Sequence, residues 1–384
     1  MVTTTSADGV LKSYYLDAVA EQLNKTANPL LAAIEQTSSD VWGKDVRKAA
    51  VYGVHGGVGA GTEDGALPAT SGGGYAQLTA TLKNLYGRIE ISDKAVRASR
   101  GDEGAFVDLL NTEMEQLIKS SSFNFGRMLF GDGSGKLGTV SSVSGTTYTM
   151  DSVRNFAVGM IVDIIGSGGE SVATARTVTG VDYANGTITL SGASATNAGN
   201  CGVYVQNSRD QEITGLGAIF SSSETLYGLT RADHPWLNPV KVEVDGAITE
   251  NAVQKAIDLV EESAGSKVNF IVCSWGVRRA LFKVLSAYRQ IDTVELAGGA
   301  KAITFNGIPV VADRFCPSGT MYLLNTDDFR LHQLCDWQWL EGENGRILAQ
   351  VPGKPVYTAT LVKYAELLCS RPCGQAVLTG ITEE

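Results

Sequence analysis

"EGAFVDLLNTEMEQLIKSSSFNFGRMLFGDGSG", residues 103–135, carries the longest regular rhythm in the chain. Phe106, Leu110, Met114, Leu117, Ser121, Phe125 and Met128 recur at three- and four-residue steps, while Asp108, Glu113, Glu115 and Lys119 fall on other faces. That spacing predicts one amphipathic helix of about 27 residues, roughly 40 Å long at about 1.5 Å per residue. Gly131, Gly133 and Gly135 follow at once and stop it.

The same glycines invite a phosphate-loop reading, which their spacing refuses. With Gly135-Lys136 as the G-K of G-x-x-x-x-G-K-[ST], the first glycine position is Phe130 and the magnesium-holding hydroxyl falls on Leu137. A phosphate loop also opens a helix, whereas this one closes one. The expected role is a hinge.

Beyond the hinge the pattern changes period. "VGMIVDIIG", "ARTVTGVD" and "GTITLSG" are short β-rich pieces separated by turn signals such as Asn185-Gly186, and they predict a small β-domain inserted at 137–206. On the other side of the helix, "VYGVHGGVGAGTEDGALPATSGGGY" (51–75) holds nine glycines between Gly53 and Gly74. A dinucleotide fingerprint started at Gly57 or Gly59 would put its last glycine at Thr62 or Asp64, and Pro68 breaks any following helix. The stretch instead predicts the mobile tip of a long hairpin, with "KAAVYGV" and "YAQLTATLKNLYGRIEIS" as its arms. An arm of that length needs a partner surface. Further upstream, Leu11, Tyr14 or Tyr15, Val19 and Leu23 fit a helix, and "LLAAIEQ" after Pro29 fits a second short one.

The C-terminal part alternates helix and strand. Thr249 is an N-cap, Ile248 and Val253 form a staple, and Val253, Ala256, Ile257 and Val260 make the buried stripe of a helix ending at Gly265. The strand "VNFIVCS", a helix from Trp275 to Tyr288 and a hairpin turning at Asn306-Gly307 come next. The remainder, through "GTMYLLNT", "FRLHQL" and "GKPVYTATLVKYAELLC", reads as strand, so the fold class is α+β.

Chemistry is sparse. A net charge of −10 weighs against a protein that grips nucleic acid tightly, and Lys83, Arg88, Lys94, Arg97 and Arg100 read as ordinary solvated surface. No window approaches a membrane span, no secretory signal is indicated, and the six scattered cysteines are expected as free thiols. His55, His234 and His332 stand in no local triad signature. "HQLC" (332–335) and "CSRPC" (369–373) have unusual spacings for a zinc module, and Glu341 and Glu343 lie in an exposed turn. No catalytic residue, cofactor or metal is expected. Signals for extended, partner-seeking elements are repeated, and together they point to assembly.

The order of these elements resembles the major capsid protein of tailed bacteriophages, whose fold is shared with encapsulins. The likeness rests on an N-terminal arm, a glycine-rich hairpin ending in "LKNLYGRIEISDKAVRAS", a long helix ending in "FNFGRMLFGDGSG", and a later α/β part with "FNGIPVVADRFCPSGTMYLLN". It covers residues 1–136 and 210–384 and leaves the β-insertion outside.

The resemblance implies an N-terminal arm at 1–45, an extended loop at 46–90, and a spine helix with peripheral domain at 91–136, completed by 346–384. It implies further the insertion at 137–206, a return segment at 207–239 and an axial domain at 240–345. Tyr52, Gly57, Gly59, Gly61, Tyr75, Leu82, Lys83, Tyr86 and Arg88 become candidates for subunit contact. Phe106, Leu110, Met114, Leu117, Phe125 and Met128 line the spine, with Gly131, Gly133 and Gly135 as its hinge. The implied function is structural: hexamers and pentamers of an icosahedral virion shell, with a portal protein and double-stranded DNA held by weak nonspecific contacts. With fewer than fifty residues before the loop, a separate scaffolding protein is expected. Lys83 fits the crosslinking lysine of some members, but no asparagine follows Asn344, so no such crosslink is expected. Alternatives are an encapsulin shell and a virion adhesin with a glycan-binding β-domain.

Overall fold

The computed structural model describes residues 28–41, 43–70, 72–94, 103–287, 293–295, 301–341 and 347–384. The expected helix over Leu11–Leu23, the cations Arg97 and Arg100, and Glu343 lie outside the described residues, as do the side chains of Phe106 and Leu110.

The described chain starts as a strap across the core. Helix α1 (Pro29–Ala33) is a single turn with proline at its start, and it gives way to strand β1 (Glu35–Thr37). "LLAAIEQ" therefore does not run on as a helix. Leu30, Leu31 and Ile34 are buried, and the chain beyond them meets an open sheet edge on which it extends. A five-residue helix gains too little from its own hydrogen bonds to resist.

Strands β2 (Asp45–Tyr52) and β3 (Gly74–Thr81) form the hairpin, in register from Asp45 opposite Thr81 to Tyr52 opposite Gly74. The expected second arm is split at Leu82. Strand β4 (Lys83–Ser92) leaves the hairpin and enters a core sheet, because Leu85, Ile89 and Ile91 alternate onto one buried face that a solvent-exposed arm could not cover.

Helix α2 spans Glu103–Phe130, 28 residues, roughly 42 Å at about 1.5 Å per residue. Met114, Ile118, Phe125, Met128 and Leu129 are buried and Leu117 packs against the same core. Gly87 lets β4 approach closely, since a Cβ there would stand 3.0 Å from Leu117 Cδ1. Past the helix, Gly133 (φ +84°) and Gly135 (φ +77°) take left-handed backbone, and a Cβ on Gly135 would lie 2.6 Å from the Ser208 carbonyl oxygen.

The insertion is a closed barrel of β5 (Lys136–Ser144), β6 (Thr147–Met150), β7 (Ile161–Ile165), β8 (Ser171–Asp182), β9 (Thr187–Leu190) and β10 (Gly202–Val205), in the order β10-β5-β6-β9-β8-β7. Closure removes sheet edges. Its own core includes Tyr148, Phe156, Val162, Ile164, Val178 and Ile188. The chain returns beside its point of departure: Asp210 N–H donates to the Ser134 carbonyl (2.9 Å). Arg127, on α2, meets Glu212 in a bidentate pair (Nη1–Oε2 2.9 Å) with both side chains 3% exposed.

Helix α3 (Leu216–Ile219) and the small ladder β11 (Thr225–Leu226) with β12 (Leu229–Thr230) carry the return segment under the hairpin. Then β13 (Val240–Gly246), α4 (Glu250–Ala264), β14 (Phe270–Cys273), α5 (Trp275–Ala287), β15 (Thr293–Glu295), β16 (Lys301–Phe305), β17 (Ile308–Ala312) and β18 (Met321–Leu324) build most of a second sheet. Thr249 Oγ1 accepts from Ala252 N–H, Gly265 closes α4 in left-handed backbone (φ +57°), and Asn306-Gly307 turns with both φ positive.

The last strands cross between sheets. Strand β19 (Phe329–Trp339) lies within the expected axial segment, yet it pairs with β1 and β21 (Val356–Cys369) in the five-stranded sheet β1-β19-β21-β20 with β4, where β20 is Ala349–Gln350. Conversely β22 (Ala376–Ile381), in the segment expected to complete the peripheral sheet, pairs with β13 and β18 in the seven-stranded sheet. Strands that alternate between two layers have no local signal of which layer they join.

Breaking the buried pair tests the junction of helix and insertion. Glu212→Ala leaves a buried guanidinium without its carboxylate and is expected to cost about 3–5 kcal/mol in urea unfolding, whereas the Arg127→Met/Glu212→Leu double variant loses much less. Equal losses in both would contradict this account.

Candidate assembly surfaces

The nine candidate contact residues separate into three places. Gly57, Gly59, Gly61 and Tyr75 lie on the hairpin and its tip, and Tyr75 is 75% exposed. Tyr86 and Arg88 lie on the outer face of β4, where Tyr86 meets the Tyr364 ring edge-on at 6.4 Å and Arg88 pairs with Glu90 at 2.6 Å. The third place is where the hairpin ladder meets the rest of the chain, with Tyr52 at its tip end and Leu82 and Lys83 at its root. Tyr52 stacks on Trp236 (centroids 5.6 Å apart) with His234 edge-on to both, Leu82 N–H donates to the Lys44 carbonyl, and Lys83 Nζ donates to the Asp210 carbonyl (3.1 Å). Tyr52 and Lys83 are thus engaged within their own chain.

Composition alone did not single out the apolar residues of the tip. Val51 (68%), Val54 (89%), Val58 (87%) and Leu67 (91%) are exposed on the hairpin together with Tyr75. The available signal was their presence among glycines, where no local core exists to hold them. Each large side chain left in water forgoes roughly 1.5–3 kcal/mol of burial. A run of them on one protruding element marks a contact surface.

The glycine turn shows what the phosphate-loop pattern would have needed and lacks. Asp132 Oδ1 accepts from Ser134 N–H (3.0 Å) and from its hydroxyl, so a carboxylate occupies the concave side of the turn. That charge repels a phosphate. Among the described residues no group of three or more His, Cys, Asp or Glu stands together as a metal site, and no helix is long and apolar enough to cross a membrane. His332 and Cys335 lie on β19 and Cys369 and Cys373 at and beyond the end of β21, with all six cysteines free. Glu341 is exposed.

The barrel leans on the second sheet. Arg154 donates to the Cys316 carbonyl, Arg314 donates to the Tyr183 hydroxyl (3.0 Å), and Tyr183 donates to the Phe156 carbonyl (3.2 Å). The exposed Arg314 guanidinium also lies 4.8 Å from the Phe123 ring, so barrel, sheet and α2 meet at one residue.

Two buried carboxyls are tied to backbone. Burial pushes Glu366, 2% exposed, up to about 7, against N–H groups of Thr214 and Leu367 that favour its charged form. Burial likewise lifts Asp313 to about 6, opposed by the Phe315 N–H. Asp313 thereby fixes the turn at Phe315, and Glu366 holds the return segment to β21. A carboxyl raised on folding binds its proton more tightly in the folded state, so it supports the fold at low pH and withdraws that support as pH rises through the raised value. Glu366→Gln is therefore expected to gain roughly 1–3 kcal/mol over the parent at about pH 8, with the gain vanishing near pH 4.5, the ordinary carboxyl range. Denaturant titrations across that range check the sign; a gain that is independent of pH would refute it.

No protein-family model matches the sequence, and no curated protein matches it either. Solved structures do. A chain of the cyanophage A-1(L) capsid asymmetric unit superposes with a TM-score of 0.57 at 15% identity, over 93% of each chain. The holo-SrpI encapsulin complex from Synechococcus elongatus aligns at 0.48 and 12% identity, over 93% of this chain and 89% of that one. The cyanophage likeness runs through nearly all of both chains, and it fixes the architecture: this chain has the α+β fold of a tailed-phage major capsid protein.

Proposed function

We propose that the chain is the major capsid subunit of a tailed-phage head, assembling as hexamers and pentamers into an icosahedral shell around double-stranded DNA. One observation carries the reading: on a capsid fold, the β2–β3 hairpin presents Val51, Val54, Val58, Leu67 and Tyr75 to solvent with nothing among the described residues to cover them. A second copy supplies that cover. The five-stranded sheet with α2 acts as the peripheral domain and the seven-stranded sheet as the axial one, with the barrel hinged at Gly131, Gly133 and Gly135. The chain works through geometry and performs no reaction. At a net charge of −10 its contacts with DNA are weak and nonspecific, and a separate scaffold and a portal complete the head. A shell around protein cargo, as in the encapsulin alternative, would use the same hairpin.

Electron microscopy of the purified chain, with scaffold supplied, is expected to show rings, tubes or closed shells. Replacing Val54, Val58 and Leu67 together with serine removes roughly 1.5–3 kcal/mol of contact per side chain. The variant should need at least tenfold more protein to assemble while its unfolding midpoint stays unchanged, because surface substitutions alter stability little. Particles that exclude DNA and hold protein would favour the encapsulin reading, and a chain that stays monomeric under these conditions would overturn the proposal.

A further inference from the structure

A buried imidazole stands where the strap and the hairpin root meet the five-stranded sheet, and nothing in the shell reading uses it. His332 on β19 is 2% exposed, and among the described residues neither of its ring nitrogens has a hydrogen-bond partner. A neutral imidazole carries one donor and one acceptor, so a dry pocket satisfies it less well than it would an apolar ring. Packing alone does not account for a histidine here.

Its surroundings explain what a proton would do. Thr37 of β1 is its direct partner in the parallel ladder, and Glu366 stands opposite it in the antiparallel ladder to β21. From outside, Glu35 and Asp40 act on it favourably and Arg330 and Lys48 unfavourably, Lys48 being on hairpin strand β2. The two favourable carboxylates are already drawn to Arg330, at 3.1 and 4.0 Å. Glu366 accepts from the Thr214 and Leu367 N–H groups instead. An incoming positive charge would therefore meet two cations and carboxylates that are committed elsewhere.

The element above it is a short edge strand of the sheet. Among the described residues strand β1, three residues long, pairs on one side only, from Glu35 opposite Arg330 to Thr37 opposite His332, and Gln36 Oε1 is buried without a partner. Short edge strands open at low free energy. Upstream, Leu30, Leu31 and Ile34 stay anchored in the core, so opening can be confined to β1 and the residues leading from it into the hairpin.

We propose that His332 is an acid-operated release for the strap: protonating its ring expels β1 from the sheet edge, while the hairpin stays seated by buried Val46, Leu78 and Ala80. Burial lowers the His332 pKa below the ordinary imidazole value of 6.5, so the folded joint resists the proton and the opened one accepts it. The support this group gives is complete above 6.5 and is lost as pH falls below it. Glu366, raised to about 7, turns neutral first and cannot supply a compensating charge. The two titrations have opposite signs: acid tightens the return segment's hold on β21 while it loosens the strap.

The joint rests on the shell reading only for its consequence, a strap freed to change partners between copies. Its test uses the full, unassembled chain: amide exchange read by mass spectrometry at about pH 7.5, 6.5 and 5.5, corrected for the intrinsic pH dependence of exchange. Opening in peptides covering 35–41 is expected to rise by up to about tenfold per pH unit, the bound for one proton, with the hairpin strands, α4 and the barrel unchanged. His332→Phe and His332→Gln should both abolish the rise, and Phe should keep full protection at about pH 7.5 because no hydrogen bond is lost. A parent chain without the rise, or a rise that persists in the two variants, overturns the proposal; if one variant fails to fold, the other decides. A joint that responds in a chain that never forms particles would sink the shell reading and leave this one standing.

Discussion

A 28-residue helix with one apolar stripe cannot be stable alone, and most of the first core exists to cover α2. Strand β4 closes on it where Gly87 faces Leu117. The strap crosses at Asn28, whose amide donates to the Ser122 carbonyl, and Gly126 leaves the space that Asn28 fills. At the far end the return segment approaches backbone to backbone: a Cβ on Gly215 would stand 2.3 Å from the Met128 carbonyl oxygen. Each contact comes from a different part of the chain, so the helix sets the relative positions of elements that never touch in sequence.

The helix also fixes where charge can be buried. Lys363 on β21 is fully buried, with its ammonium 5.3 Å from the Phe125 ring and 6.0 Å from that of Trp337, held by Asp336 (2.6 Å) and Gln333 (2.8 Å). Burial lowers its pKa, against the pull of Asp336. A lysine in that position adds little net stability over an apolar side chain, but any slip in register between sheet and helix would strand its charge. Arg127 with Glu212 plays the same part toward the return segment, two residues further along the helix than Phe125. Arg231, also buried, donates to the carbonyls of Ala218, Ile219 and Leu237 and so fixes the return segment. These groups define position more than they add stability.

Sequence reading reached what local rules govern. The 3-4 rhythm located α2 to within a residue of its end, Thr249 and Gly265 bounded α4 as a cap and a left-handed stop, and Asn306-Gly307 marked a turn that only positive φ permits. What escaped it depends on partners distant in the chain. Lys83–Ser92 has the alternation of a hairpin arm and of a core strand alike, and only the buried face offered by α2 decides between them. Nothing near Phe329 or Ala376 says which sheet it enters. His332 was legible only as one of three histidines, since its burial arises from β1, a strand the sequence presented as the end of a helix.

The distribution of polarity then divides the molecule by task. Around α2 the buried charges of Arg127, Glu212 and Lys363 are paired, and a substitution there is felt as lost stability. On the hairpin tip the reverse holds: apolar side chains stand in water on a stretch with little secondary structure, so the tip, unlike the ladder seated by Val46, Leu78 and Ala80, makes few contacts that would hold it in one shape. A chain with a net charge of −10 repels its copies at long range, and that repulsion is overcome only where matched apolar surface meets at short range. In the proposed shell, association is thereby confined to the geometry in which the hairpin finds its cover. The core around the rigid helix fixes the direction from which the hairpin departs, because buried Leu78 and Ala80 seat its second strand there.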